Sequence, residues 1–295
     1  MNPKQIENSI KAGKIAELVR QYAKTIIKKD MPLLEIAEQI EKKIVELGAK
    51  PAFPTNLSIN EVAAHYTPSY NDETLSHGLL KIDFGVQING WIADNAFSID
   101  LENSEENKKL IKASEEALSN ACSLIKQGKT TSEIGKEIQK TIEKHEFSPI
   151  VNLSGHSMQE YDLHSGITIP NIDDKSNIKI EYGLYAIEPF ATSGNGKIYD
   201  GKPSGIYIIN QVKNTRSPLS REILDFIAEE YKTLPFCSRW IIKKFGTKSL
   251  LALKELENNN IITQYEQLIE ISKKPVAQSE HTILITKDKI IVTTI

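Results

Sequence analysis

From Ile6 to about Lys29 the apolar residues Ile15, Leu18, Val19, Tyr22, Ala23, Ile26 and Ile27 recur at intervals of three and four, the stripe of a core-facing helix. A second such stripe runs from Leu33 to about Leu47. The pattern returns between Glu105 and Lys126, Gly128 closes it, and Thr130-x-x-Glu133 reads as a capping box opening a fourth helix. Between the two helix pairs the period changes to two. In "KIDFGVQINGWIADNAFSID" (81–100) apolar residues alternate on both sides of Asn89-Gly90, a dipeptide that suits the two positive-φ positions of a type I′ hairpin turn. A two-residue loop pairs Ile88 with Trp91, Asp94 with Gly85 and Asp83 with Ala96. Asp83 and Asp94 then share one face on diagonal positions roughly 7–8 Å apart. Ile82, Phe84, Val86, Ile88, Trp91, Ala93, Phe97 and Ile99 form the opposite face, to be covered by helices. Two readings of the aspartates stand side by side. One is a hairpin with a solvated polar face; the other is half of a metal site, since two like charges that close raise each other's pKa unless a cation sits between them.

Longer-range repetition bears on that choice. "EIAEQIEKKIVELGAKP" (35–51) aligns without a gap with "EIGKEIQKTIEKHEFSP" (133–149), and each runs on into Asn-Leu-Ser, at 56–58 and 152–154. "GLLKID" (78–83) is echoed by "GLYAIE" (183–188), and "IADNAFSI" (92–99) by "QSEHTILI" (278–285). Three matches in the same order argue for duplicated halves, with Glu188 opposite Asp83 and Glu280 opposite Asp94. The second half carries an addition between its two acidic residues. Ser220 to about Leu234, Ser238 to Phe245 and Ser249 to Asn258 have helical spacing, and "NIITQYEQLIEIS" suggests a small strand pair. This defines a helical insertion over 215–270 within one domain spanning 1–295. Helices with a strand pair resemble a winged helix, but the basic residues are mixed with Glu222, Asp225, Glu229, Glu230, Glu255, Glu257 and Glu270, which argues against DNA.

If the second hairpin packs beside the first about a pseudo-twofold axis, Asp83, Asp94, Glu188 and Glu280 converge. Four carboxylates in a water-poor site call for about two divalent cations. His156, in "NLSGHSM", is placed to add a nitrogen ligand, although taken singly a histidine is more often packed or on the surface. Oxygen donors with one imidazole suit Mn, Fe(II), Co or Zn rather than Ca.

Composition narrows the setting. A chain of 295 residues with 36 basic and 39 acidic residues, net charge -3 and no block of like charge offers no electrostatic nucleic-acid partner. Cys122 and Cys237 are the only cysteines, and read as reduced, buried thiols. No apolar run approaches the ~20 residues of a membrane span, and the start lacks a signal-peptide layout. The expectation is a soluble, cytoplasmic protein.

The set Asp83, Asp94, His156, Glu188 and Glu280 in that order, with "KIDFGVQINGWIAD", "NLSGH" and "AIEPF", closely resembles methionine aminopeptidases of the pita-bread fold, in metallopeptidase family M24. "KPAFPTNLSINEVAAHYTP" (50–68), "AQSEHTILI" (277–285) and the insertion before Glu280 are similar to the type 2 members in their short, archaeal-like form. The resemblance implies an α+β pita-bread fold, a curved antiparallel sheet covered by helices in two related halves, plus the helical insertion. It implies two divalent ions, Co, Mn, Fe(II) or Zn. Asp83 would chelate one, Asp94 and Glu280 would bridge both, and His156 with Glu188 would complete the other. It further implies Glu188 as general base, His65 and His164 at the scissile bond, and Phe53 as a wall of the methionine pocket. The substrate would be the N-terminal Met of nascent polypeptides with a small second residue, with the ribosome a candidate partner, the chain a monomer, and no DNA or membrane involved. "SHGLLKID" departs from the usual pattern at the start of its strand without touching a ligand. A proline-specific peptidase of the same fold is the rival enzyme, but such enzymes carry an extra N-terminal domain and only 82 residues precede Asp83. A non-catalytic pita-bread binding protein is the rival of another class, and the full ligand set argues against it.

Overall fold

Asn2 accepts from the backbone of Gln5 while the Gln5 side chain accepts from the backbone of Asn2, a capping box that starts the first helix, α1, at Pro3 rather than at Ile6. In the computed structural model, which describes residues 1–215 and 217–295, α1 spans Pro3–Ile26 and α2 spans Leu33–Glu46. Of the expected 215–270 insertion, Arg216 alone lies outside the described residues. α3 (Glu105–Leu124) and α4 (Thr131–Lys144) form the second pair, and Thr130 and Glu133 make the expected capping box of α4. Leu18 departs from the α1 stripe at 47% exposure, because Ala12, Ile15, Ala16, Val19 and Ala23 suffice to cover the sheet.

The hairpin has the expected register. Leu79–Ile88 pairs with Trp91–Asp100, Ile88 opposite Trp91, Gly85 opposite Asp94 and Asp83 opposite Ala96, around positive φ at both Asn89 and Gly90. Lys50–Ile59 adds a third strand on the Leu79 side, and α1 and α2 pack on the apolar face through Ile82, Phe84, Val86, Ile88 and Phe97. The second half repeats this plan. Ser154–Met158 pairs with Gly183–Ile187, which pairs antiparallel with His281–Ile285, and α3 and α4 lie over that sheet's apolar residues. Thr168–Pro170 and Ile290–Val292 extend its two edges.

The halves meet at a seam. Asp94 N donates to Thr282 Oγ1 at 2.7 Å, and Glu280 N donates to the carbonyl of Ala96 at 2.9 Å. Under the duplication read from the sequence, residue 94 corresponds to 280 and residue 96 to 282, so these two bonds exchange with one another about the pseudo-twofold. Further along, Ser98 Oγ bonds both the N–H and the carbonyl of Gln278.

The insertion corrects the expectation of a small strand pair within "NIITQYEQLIEIS". That stretch forms one strand, Ile262–Glu270, whose antiparallel partner is Ile198–Ile209, before the expected boundary at 215. The partner was hidden because Asp200-Gly201-Lys202-Pro203-Ser204-Gly205 interrupts its apolar alternation. α5 (Pro218–Glu230), α6 (Ser238–Phe245) and α7 (Ser249–Asn258) share a separate core around Phe236, Ile241 and Leu253. Among the described residues no helix is long and apolar enough to cross a membrane. Cys237 is buried and Cys122 half-buried, both as free thiols, so the expectation of burial holds fully only for Cys237.

Candidate metal centre

Asp83 and Asp94 lie mid-strand in the hairpin, Glu188 just past the end of Gly183–Ile187, and Glu280 between the strands Val276–Gln278 and His281–Ile285. His156 sits mid-strand, opposite Ala186. The seam brings these together. Ligand atoms of Asp94, His156 and Glu280 lie within 4.8 Å of one another, and His156 Nε2 is 3.6 Å from Asp94 Oδ2 and 3.5 Å from Glu188 Oε1. Asp94, His156 and Glu280 are 3%, 7% and 1% exposed, which excludes the solvated-hairpin reading.

Burial on this scale sets the electrostatics. Desolvation pushes Asp83 up to about 7, against hydrogen bonding from Gln278. Asp94, Glu188 and Glu280 are pushed well above the ordinary carboxylate range, by burial first and then by neighbouring carboxylates: Asp83 beside Asp94, Asp94 and Asp83 beside Glu188, and all three beside Glu280. The imidazole of His156 goes the other way, to about 3, through burial and then its neighbour His164, whose ring lies edge-on at 4.4 Å. No Lys or Arg forms an ion pair with the four carboxylates among the described residues. A buried carboxylate oxygen on each of Asp83 and Asp94, Oδ1 in both, lacks a hydrogen-bond partner among the described residues. Four acids, a neutral imidazole and orphaned carboxylate oxygens are the donor set of a divalent cation site, so the residues present fit a metal.

The other residues singled out in the sequence reach the same place. Phe53, His65, Asp83, Asp94, His156, His164, Glu188 and Glu280 all line one cavity of about 360 Å³. Phe53 lies opposite Gly85, and a Cβ added to Gly85 would collide with its ring, so that glycine is what lets Phe53 settle beside the aspartates. His65 holds a positive φ of 63°, its Nδ1 is 3.1 Å from the carbonyl of Glu266, and its ring lies edge-on to Tyr265 at 5.3 Å. A carbonyl only accepts, so Nδ1 carries the hydrogen and Nε2 is left as an acceptor. Burial lowers the His65 pKa to about 4, which keeps the ring neutral at physiological pH. His164 is exposed at the cavity mouth.

Several lining residues were not singled out from the sequence. Pro235, Tyr265 and Leu268 come from the 215–270 stretch and Ile206 from the strand Ile198–Ile209 paired with it, so these segments supply part of the cavity wall. Asn56, from the strand that carries Phe53, is another. The only available signal for Asn56 was its position in the repeated Asn-Leu-Ser motif.

A family model described as metallopeptidase family M24 matches residues 7–287. A methionine aminopeptidase of Pyrococcus abyssi is 47% identical over 294 residues, covering 98% of this chain and 99% of that protein. Among solved structures, a thermophilic Arx1 superposes with a TM-score of 0.82 at 18% identity, covering 99% of this chain and 91% of that one. A methionine aminopeptidase from Thermotoga maritima superposes with a TM-score of 0.72 at 21% identity, covering 100% and 98%. At those identities the two structures speak for the fold.

Proposed function

Because the chain belongs to metallopeptidase family M24, we propose that it is a methionine aminopeptidase, hydrolysing the N-terminal Met from nascent proteins and peptides with a small second residue preferred. The observation that carries this reading is the convergence of five metal-ligand candidates, Asp94, His156 and Glu280 buried and Asp83 and Glu188 partly so, with Phe53, His65 and His164 on one cavity.

Asp83, Asp94, His156, Glu188 and Glu280 would hold the divalent ions. Bound divalent ions, Mn, Fe(II), Co or Zn, polarise a scissile carbonyl and make a water nucleophilic near neutral pH. The protein's residues do the rest. Glu188, whose carboxylate is held in a desolvated wall, takes a proton from the attacking water and passes it to the departing amine. His164, at the cavity mouth, donates a hydrogen bond to the substrate as negative charge develops on its carbonyl oxygen. His65 Nε2 accepts from the substrate. Phe53 packs against the unbranched thioether side chain. The proposed setting is the cytoplasm, acting as a monomer on nascent chains.

The test is cleavage of Met-Ala-Ser and of an Xaa-Pro peptide by metal-stripped protein reconstituted with each ion in turn, with metal content measured alongside. Metal-dependent release of Met alone is expected. Cleavage of the Xaa-Pro peptide alone would replace the reading with a proline-specific peptidase, and absence of both metal and cleavage would replace it with a binding protein.

A further inference from the structure

Asn56 is 5% exposed and lines the metal-site cavity, yet its amide is only half used. Nδ2 donates to the carbonyl of Pro54 at 3.0 Å, while the buried Oδ1 has no hydrogen-bond partner among the described residues. The amide is not free to turn over. Reversed, it would set its own oxygen against the Pro54 carbonyl, two acceptors face to face.

Its direction is also imposed by the backbone. Residues three apart on a regular strand point to opposite faces. Here the pairing of Lys50–Ile59 with Leu79–Ile88 shifts register between Phe53 and Asn56, so that Phe53 lies opposite Gly85 and Asn56 opposite Asp83. Gly85 and Asp83 share a face, and the irregularity therefore returns Asn56 to the side of the site. Such bulges re-aim side chains next to active sites. The nearest cross-strand neighbour of Asn56 is Asp83, whose own Oδ1 is an unpartnered acceptor. Acceptors outnumber donors at this corner, where the Gln278 amide faces Asp83, and Asn56 Oδ1 is left without an N–H.

An amino acid carries its side chain and its amine on one carbon. A substrate whose side chain rests on Phe53 can turn its α-amine toward the next position on that strand face, where Asn56 and Asp83 stand. We infer that Asn56 is a substrate-binding residue whose Oδ1 accepts a hydrogen bond from the free α-amine of the substrate's first residue. It thereby contributes to selecting an unblocked N-terminus. The inference rests on the aminopeptidase reading and adds to it a residue that discriminates by the amine rather than by the side chain.

The experiment compares the metal-reconstituted wild type with Asn56→Ala and Asn56→Leu. Met-Ala-Ser kinetics are measured together with calorimetric binding of methioninamide and of its des-amino analogue, 4-(methylthio)butanamide. Loss of one amine hydrogen bond raises the Km for Met-Ala-Ser and the Kd for methioninamide about tenfold. The des-amino analogue binds unchanged, kcat stays within about twofold, and metal stoichiometry does not move. Asn56→Asp retains an acceptor and should retain the amine preference, and it carries the test if the other two variants fail to fold. Equal weakening of both ligands, an unchanged preference in Asn56→Leu, a lost preference in Asn56→Asp, or a fall in metal stoichiometry would each overturn the assignment. A wild type that does not cleave Met-Ala-Ser would overturn the aminopeptidase reading itself. A wild type that cleaves while Asn56→Leu still prefers the amine removes Asn56 alone.

Discussion

Replacing Glu41 with Ala should unfasten the inserted region from the amino-terminal half. Arg239, on α6, makes a bidentate pair with Glu41 of α2, both bonds at 2.8 Å, with the two residues 4% and 8% exposed. Trp240 Nε1 donates to the same carboxylate at 2.8 Å, and Thr55 N donates to it at 3.2 Å. Removing the carboxylate leaves a buried guanidinium without its counter-charge and two donors without an acceptor. Breaking a buried pair in this way costs about 3–5 kcal/mol. At roughly 2 °C per kcal/mol for a chain of this size, the midpoint of thermal unfolding should fall by about 8 °C. Thr55 adjoins Asn56, and Pro235 and Tyr265 of the 215–270 stretch line the same cavity, so the Km for Met-Ala-Ser should rise as well. Scanning calorimetry and steady-state kinetics on one preparation read both effects. The double replacement Glu41→Leu with Arg239→Met removes both charges and should recover part of the loss. A single mutant that melts within about 1 °C of wild type, or a double mutant whose losses simply add, would refute this account of the contact.

Metal-free protein should lose stability as pH rises. Asp83 has its folded pKa raised to about 7 by burial, so the folded state binds that proton more tightly than the unfolded chain does; the contribution is complete below about pH 4 and lost as pH passes 7. Melting of stripped protein between pH 5 and 8 should show this slope, and saturating Mn should flatten it. Gly85→Ala places a Cβ against the Phe53 ring, an overpacking of about 1–3 kcal/mol, and should raise the Km for Met-Ala-Ser with metal content unchanged. Thr130→Ala removes the cap of α4, which is not part of the cavity lining, and should cost about 1 kcal/mol in a denaturant titration without altering kcat/Km.

What could be read from the sequence followed from local periodicity. Asn89-Gly90 between alternating runs defined the hairpin and hence the shared face of Asp83 and Asp94. The echoes of that segment at 183–188 and 278–285 pointed to Glu188 and Glu280. What remained hidden depended on contacts between distant segments. The strand Ile198–Ile209 carries a Gly- and Pro-broken pattern and is stabilised by pairing with Ile262–Glu270, so neither its existence nor the approach of Tyr265 to His65 follows from its own residues. Asn56 escaped because a register shift, invisible in the residue types, decides which face it takes. The start of α1 was legible in Asn2-x-x-Gln5, but the apolar stripe begins later and drew the boundary inward.

At the seam, each half's acidic residue is gripped by the other half's strand, Asp94 by Thr282 and Glu280 by Ala96. Once fused, therefore, the two copies could not drift independently at these four positions. A change that tilts one strand displaces a carboxylate inherited from the other copy. Between Glu188 and the Gln278 that Ser98 holds, no described residue takes part in these seam bonds, which leaves that stretch as the one where one copy could acquire new sequence while the paired acids stayed in place.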